Sequence, residues 1–346
     1  DSIQKKISDI EKIGTHLFDR IAQSSSFKAE FLTDAAVEEA VTSAIYEGAN
    51  TTRARATQPI ETGKRPASKD DWMLLNNFEA LNWIKDHRTK PASLEVILKI
   101  HQLVTKNTMD DANASYVGKF RGDEVFVMNS LNKRVHEGID HKLLVPALEE
   151  VITVITKHPR YLHPLIKGIL FHYMIAYIHP FFDGNGRTAR SMFYFKLLKG
   201  DFKFIELLSI SAYLKNSGNQ YERSFERVKN HDWDLTYFIN YCLDSLLAAL
   251  KTVDGKVDYL IQINVLREAD GLSENQIGLL QRMALGKYRS ESIESYGAKI
   301  EKSREFARQE LKQLTELGYL VESKEGKKFV YHVDVKRLKK SVQRGS

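Results

Sequence analysis

The chain has 346 residues, 42% apolar and 28% charged, with a net charge of +6. That length predicts two or three domains rather than one core, and the balance excludes a disordered or collagen-like chain. Cys242 is the only cysteine, which excludes an intrachain disulfide and a cysteine-rich zinc site.

No apolar run approaches the ~18 residues of a membrane span; the richest, Ile169 to Ile178, is interrupted by His172. No membrane partner is therefore expected. Asp1 to Glu11 mixes charges of both signs without a signal-like apolar stretch. With one cysteine, the expected setting is reducing and cytoplasmic.

In chain order, Glu38 to Tyr46 reads as a helix with Gly48 as its stop, and Ala49 to Ala67 as an exposed loop. Ser68 and Asp71 have capping-box-like spacing, and Trp72, Leu75, Phe78, Leu81 and Ile84 follow at helical intervals. Pro91 and Ser93 open a second stripe, and Leu143 to Ile155 forms a third. Glu124 to Asn129 has the β-branched and aromatic content of a short strand or hairpin. Leu165 to Ile178 is apolar nearly all round and predicts a buried central helix. Ser191 to Leu198, Tyr221 to Val228 and Trp233 to Leu250 predict three more helices, so the fold class is mainly α.

After Gly271 the pattern changes. Glu274 to Met283 and Ser303 to Leu317 read as helices; Tyr319-Leu320-Val321 and Phe329-Val330-Tyr331 read as strands around the charged turn Ser323 to Lys328. That order is the order of a winged helix. Gly271 to Ser346 holds 16 Lys+Arg against 10 Asp+Glu, so the whole charge excess lies here. Such a module can attract nucleic acid or acidic protein surfaces, while an excess this modest often serves only solubility.

The densest chemistry lies in His179-Pro180-Phe181-Phe182-Asp183-Gly184-Asn185-Gly186-Arg187-Thr188-Ala189-Arg190. Pro180 ends the apolar helix at His179, a side chain able to take a proton at neutral pH. Gly184 and Gly186 let backbone N–H groups turn inward as an anion nest, and a helix starting near Arg187 adds its N-terminal donors. Arg187 and Arg190 share a helical face and carry forked donors for phosphate. Asp183 is a hard oxygen ligand of the kind a phosphate-bridging Mg²⁺ uses. A base, a carboxylate, an anion nest and two cations within one short segment describe phosphoryl transfer, without the spacing of a Walker loop. His101, His163 and His172 lack metal-ligand partners at suitable spacing and are expected to be structural.

This segment matches every defined position of the Fic family signature, and Gly118-Lys119-Phe120-Arg121 also resembles the family; the resemblance covers roughly Leu32 to Leu250. It implies a Fic-type helical bundle with a small β-hairpin flap, followed by an α+β winged-helix domain. The expected organisation is an N-terminal helical region over 1–110, a catalytic core over 111–250, a connecting helix over 251–270 and a winged helix over 271–346.

The resemblance implies AMP transfer from ATP to a Ser, Thr or Tyr hydroxyl, with His179 as base and Asp183 holding Mg²⁺. Gly184, Asn185 and Gly186 would cradle the α- and β-phosphates; Arg187 and Arg190 would grip the β and γ groups, with Thr188 and Ala189 between them in the same ATP-binding segment. Val125, Phe126, Val127 and Met128 match the flap that borders the nucleotide and pairs with an extended target segment. Tyr221 falls where the family places a tyrosine against adenine, whereas Lys229 stands where an asparagine is frequent.

Ser43-Ala44-Ile45-Tyr46-Glu47-Gly48 has the form of the family's inhibitory motif, with Ser43, Glu47 and Gly48 at its defined positions. It implies a brake: a forked ion pair from Glu47 to Arg190 that leaves ATP bound with its phosphates misplaced. The expected partners are ATP, a target protein on the flap 124–129 and a second copy of the chain. Two alternatives stand beside this reading. One is a different nucleotide, or AMP removal, at the same site; the other is a nucleotide-sensing regulator whose winged helix binds DNA.

Overall fold

The computed structural model describes residues 2–23, 25–50, 60, 63, 65–128, 134–217, 219–284, 290–325 and 328–333. Among the described residues the fold is mainly α, with two small antiparallel hairpins. It divides into two compact units, 1–250 and 251–346. Among the described residues no helix is long and apolar enough to cross a membrane.

The first unit opens with α1 (Ser2–Gln23), which buries Ile7, Ile10, Gly14, Leu17 and Ile21 along one helical stripe. Next comes α2 (Ser25–Tyr46), which begins well before the predicted Glu38. Its Val37, Val41 and Ala44 pack against Met73 and Leu74 of α3 (Lys69–Asp86). Ser68 caps α3 through the Asp71 N–H, and Ser93 caps α4 (Leu94–Thr105) through the Val96 N–H. Most of the predicted 49–67 loop lies outside the described residues.

A hairpin follows: β1 (Phe126–Met128) pairs with β2 (Arg134–Glu137), Val127 opposite His136. The strand is shorter than predicted, and Asn129 lies outside the described residues. Helix α5 (Leu144–Lys157) then leads to α6 (Pro164–Ile178) and α7 (Asn185–Lys199). Pro164 sits in the first turn of α6, where its missing N–H costs nothing, and His163 caps that turn by accepting the Leu165 N–H. Phe171, Ile175 and Ile178 of α6 interlock with Met192 and Phe195 of α7 over Ile97, Ile100 and Leu148. Each such side chain, fully buried, contributes roughly 1.5–3 kcal/mol. Helices α8 (Ile210–Asn216) and α9 (Gln220–Asn230) complete the bundle with the first part of α10 (Thr236–Asp270). The helix predicted over Trp233 to Leu250 and the connecting helix predicted over 251–270 form one continuous helix from Thr236 to Asp270.

The second unit builds its core from Ile263 and Leu266 at the end of α10 and from α11 (Glu274–Ala284), α12 (Ile293–Lys299) and α13 (Arg304–Glu316). Strands β3 (Leu320–Glu325) and β4 (Lys328–Val333) pair with Leu320 opposite Val333. They extend into the predicted charged turn, of which Gly326 and Lys327 lie outside the described residues. Glu291 bridges to Tyr331 beside them. Buried Glu310 ties the unit together, accepting from the Tyr296 hydroxyl at 2.7 Å and from the Ser273 hydroxyl.

Candidate active site

Helix α6 ends with carbonyls that its own backbone cannot satisfy, and neighbours take them one after another. The Ile175 carbonyl accepts the His179 N–H at 3.1 Å, and the Ala176 carbonyl accepts His179 Nδ1–H at 3.1 Å. Tyr177 accepts from His136 Nε2–H at 2.6 Å, and Ile178 from the Ile139 N–H at 3.3 Å. The carbonyls of His179 and Pro180 accept Nε–H and the backbone N–H of Arg121, at 2.8 and 3.0 Å. Phe181 accepts from the Asn185 amide at 2.7 Å. This run of bonds holds His179 in the left-handed region, φ 54° and ψ 58°, a conformation that costs an ordinary residue about 1–2 kcal/mol.

The bond to Ala176 places the ring proton on Nδ1 and leaves Nε2 with its lone pair. Burial, with smaller contributions from nearby His136 and Arg121, pushes the His179 pKa down to about 4. The ring is therefore neutral at pH 7, as a proton acceptor must be.

The turn after Phe181 is braced from two sides. Asn185 Oδ1 accepts the Phe181 N–H at 3.0 Å while its amide donates to the same residue's carbonyl, so the side chain locks the loop. His101 Nε2–H donates to the Asp183 carbonyl at 3.0 Å, and its Nδ1 accepts the Gly118 N–H at 3.1 Å. The ring also stacks on Phe181, with centroids 3.6 Å apart. Burial, helped by the charge of Arg187, holds the His101 pKa at about 4. Gly184 has φ 80° and a side chain there would meet Thr105, so glycine is required. Helix α7 starts at Asn185, two residues earlier than predicted, because this left-handed glycine already turns the chain. Its first N–H groups have no intrahelical acceptor, the arrangement that suits an anion.

Arg187 and Arg190 diverge. Arg187 is buried, donating to the Val104 carbonyl at 2.6 Å, to Thr108 Oγ1 at 3.3 Å and to Asp183 Oδ1 at 3.1 Å. It braces Asp183, whose side chain is 43% exposed. Thr188 and Ala189 are buried, Ala189 among the residues of the main core. Arg190 lies under α2. Its Nε and NH2 donate to Ser43 Oγ at 3.1 and 2.9 Å, and NH2 also donates to Glu47 Oε1 at 2.8 Å. The expected forked pair is thus a single bond, because Ser43, one turn earlier on α2, takes the Nε side of the fork. Burial alone would lower the Arg190 pKa; Glu47 and its other neighbours outweigh that and raise it. Glu47 also crowds Gly186 so closely that a Cβ there would strike its carboxylate. Gly48, φ 93°, ends the helix directly behind it.

Tyr221 is buried, its hydroxyl 2.9 Å from His172 Nε2. Burial lowers the His172 pKa to about 3. Tyr46 packs edge-on against the Tyr221 ring at 5.9 Å and hydrogen-bonds Glu222 at 2.5 Å. Tyr46 and Glu47 together therefore cover Tyr221 and Arg190. The hairpin also borders His179, since a Cβ on Gly138 would lie 3.2 Å from the His179 Cβ; Phe126 and Met128 are exposed, and the Val125 carbonyl accepts the Gly138 N–H at 3.1 Å.

The structure thus gathers His179, Asp183 to Arg190, Ser43, Glu47 and Tyr221 around one end of α6 and α7, with Val125 to Met128 alongside. It adds His101, His136 and Glu222, which no motif announced, and Arg121 and Tyr46, to which no motif assigns a role. Arg121 had a signal in the Gly118–Arg121 resemblance and Tyr46 in its place beside Glu47. Among the described residues no cluster of three or more His, Cys, Asp or Glu side chains forms a metal cage.

The profile of the Fic/DOC family matches residues 91–197, which include the whole motif but neither Ser43–Gly48 nor Tyr221. A protein from Nematostella vectensis named protein adenylyltransferase Fic is 30% identical over 132 residues, 37% of this chain and 29% of that protein. Its namesake from Drosophila melanogaster is 32% identical over 98 residues, 28% of this chain and 18% of that protein. The chain therefore spans less than a third of these curated relatives. The crystal structure of a Fic family protein from Desulfovibrio desulfuricans G20 superposes with a TM-score of 0.61 at 16% identity, covering 97% of this chain and 96% of that one. Fic-1 (aa134–508) from C. elegans superposes at 0.54 and 17% identity, covering 74% and 73%. At these identities the superpositions show a shared fold.

Proposed function

Residues 91–197 are a domain of the Fic/DOC family, and on that premise we propose that the chain is a protein adenylyltransferase held in check by its own helix α2. The reaction moves AMP from ATP to a Ser, Thr or Tyr hydroxyl of a target protein. His179 Nε2 takes the hydroxyl proton as the oxygen bonds to the α-phosphorus. The bond from that phosphorus to the bridging oxygen breaks, and pyrophosphate leaves. The observation that carries this reading is the state of His179: neutral, with Nδ1 tied to Ala176 and Nε2 left as the acceptor.

The N-terminal amides of α7 receive phosphate oxygens, and Arg190 is the cation for the outer phosphates once Glu47 releases it. One partly exposed carboxylate, Asp183, suits Mg²⁺, an ion usually held by one or two carboxylates together with substrate phosphates. When bound there it would neutralise phosphate charge. Arg187 would then act by fixing Asp183. The brake is supported by the Glu47–Arg190 bond and by Tyr46 covering Tyr221. The expectation that ATP sits beside an engaged brake thus meets an obstacle at Tyr221.

The second unit is read as a winged helix that docks protein, a target or a second copy of the chain. On α13, Arg304 pairs with Glu294 at 3.1 Å, Arg308 with Glu305 at 3.8 Å and Lys312 with Glu316 at 3.5 Å. Carboxylates among those bases oppose a phosphate backbone. Incubating the Glu47→Gly chain with lysate and α-³²P-ATP tests the proposal, with labelled protein expected. No label in any protein, the chain included, would refute it, and UTP or GTP labelling in place of ATP would transfer it to another nucleotide. A salt-sensitive shift of random duplex DNA would favour the regulator.

A further inference from the structure

Of the carbonyls that end α6, one is taken by a side chain from the hairpin rather than from the bundle. His136, on β2, donates Nε2–H to the Tyr177 carbonyl at 2.6 Å. Two residues further along the chain, His179 carries the base. The His136 ring lies 6.4 Å from the His179 ring and 5.1 Å from the Tyr177 ring. Across the hairpin His136 pairs with Val127, the middle residue of β1.

We propose that His136 is a positioning residue, pinning the hairpin to the last turn of α6 and so setting the height of β1 above the His179 base. Four neighbouring bonds make the pin part of a frame. Ile139 N–H reaches the Ile178 carbonyl at 3.3 Å, Arg121 donates to the carbonyls of His179 and Ile139, and Gly138 N–H reaches the Val125 carbonyl. These bonds all lie C-terminal to β2 or on the base side. Without His136, the paired strands themselves would have no side-chain bond to α6 among the described residues. Phe126 and Met128 are exposed and only Val127 is half-buried, so apolar packing holds β1 down by one side chain at most. The second part of the inference, that this height fixes where an acceptor hydroxyl meets Nε2, rests on the proposed transfer reaction; the pin itself does not.

A water molecule can reach the α-phosphate without docking on the hairpin, whereas a protein hydroxyl must be presented by it. Loss of the pin should therefore change the partition between the two acceptors. The experiment uses the full chain carrying Glu47→Gly, with His136→Ala or His136→Gln added. Self-incorporated AMP and total pyrophosphate are measured together, with ATP affinity by calorimetry.

A displacement of about 1 Å can cost a positioned reaction about 100-fold, so His136→Ala should lower the ratio of incorporated AMP to pyrophosphate by roughly 10- to 100-fold. ATP affinity should be unchanged. Gln keeps an N–H able to reach the Tyr177 carbonyl and should recover most of the ratio. An unchanged ratio in the alanine variant, or a fall in both products together, would overturn the inference, as would glutamine performing no better than alanine. Amide hydrogen exchange at Val127 and Gly138 checks the pin without catalysis and should accelerate in His136→Ala. If the parent chain releases no pyrophosphate, the transfer reaction fails, and unchanged exchange alone would then reject the pin.

Discussion

Replacing Glu47 with glycine separates the two things its carboxylate does. It accepts one N–H from Arg190 at 2.8 Å and blocks the approach to Gly186. A buried charge stripped of its partner costs about 3–5 kcal/mol. Arg190 is not stripped, because Ser43 Oγ still accepts from Nε and NH2. The loss in Glu47→Gly should then be nearer that of one charged hydrogen bond, about 1.5–3 kcal/mol. For a unit of about this size, that lowers the melting temperature by roughly 3–12 °C. The one N–H of that NH2 which pointed at Glu47 then becomes free for a phosphate oxygen. If a comparable bond forms there, ATP affinity rises by about 10- to 150-fold. The assay pairs calorimetric titration of ATP with melting curves, and α-³²P-ATP labelling follows transfer. The variant should melt lower alone, gain more from ATP than the parent and label itself faster. Equal ATP affinity and equal labelling in the two chains would refute the reasoning, whatever their melting temperatures.

His179→Ala should reduce AMP incorporation by at least the ~10²–10⁴-fold that a general base contributes, leaving ATP affinity in place; labelling with calorimetry on one preparation checks both. Asn185→Ala removes both side-chain bonds to the Phe181 backbone, so urea melts should show a loss of about 1–3 kcal/mol, with weaker ATP binding as the loop loosens. Stability should also fall with acid before the carboxylates titrate. His101, His172 and His179 have folded pKa values of about 4, 3 and 4, against an unfolded value near ~6.5. The unfolded chain takes those protons first. Stability is therefore full above about pH 6.5 and declines by up to ~1.4 kcal/mol per pH unit per histidine on the way down. Urea midpoints flat between pH 6.5 and 5 would contradict this.

The buried helix α6, the capped starts of α3 and α4 and the motif itself were legible because each depends on residues close in the chain. Pro180 and Gly184 mark their own turns, and Ser68 and Ser93 their own caps. Helix α1 was equally local, with its buried stripe from Ile7 to Ile21, yet its mixed charges concealed the period. What stayed illegible depends on distant partners. His101 reads as an ordinary apolar-face histidine, since its acceptor is a backbone carbonyl 82 residues on. The geometry of Arg190 depends on Ser43 being nearer than Glu47 to its Nε, which no spacing rule states. Two partners of Arg187 were equally distant: its guanidinium, whose forked donors suit phosphate, donates to Val104 and Thr108 as well as to Asp183.

Tyr46 and Glu47 are successive residues at one helix end, and they lie over Tyr221 and Arg190, two groups the proposed reaction assigns to opposite ends of ATP. On the proposed reading the helix end behaves as a tethered competitor. Its local concentration is set by the chain and does not change with dilution, while that of the nucleotide does. The apparent dissociation constant for ATP is then the intrinsic one divided by the fraction of chains whose α2 end stands open. Any contact that holds that end down, including the Tyr46–Glu222 bond, raises the ATP level at which half the chains are loaded, without touching a phosphate.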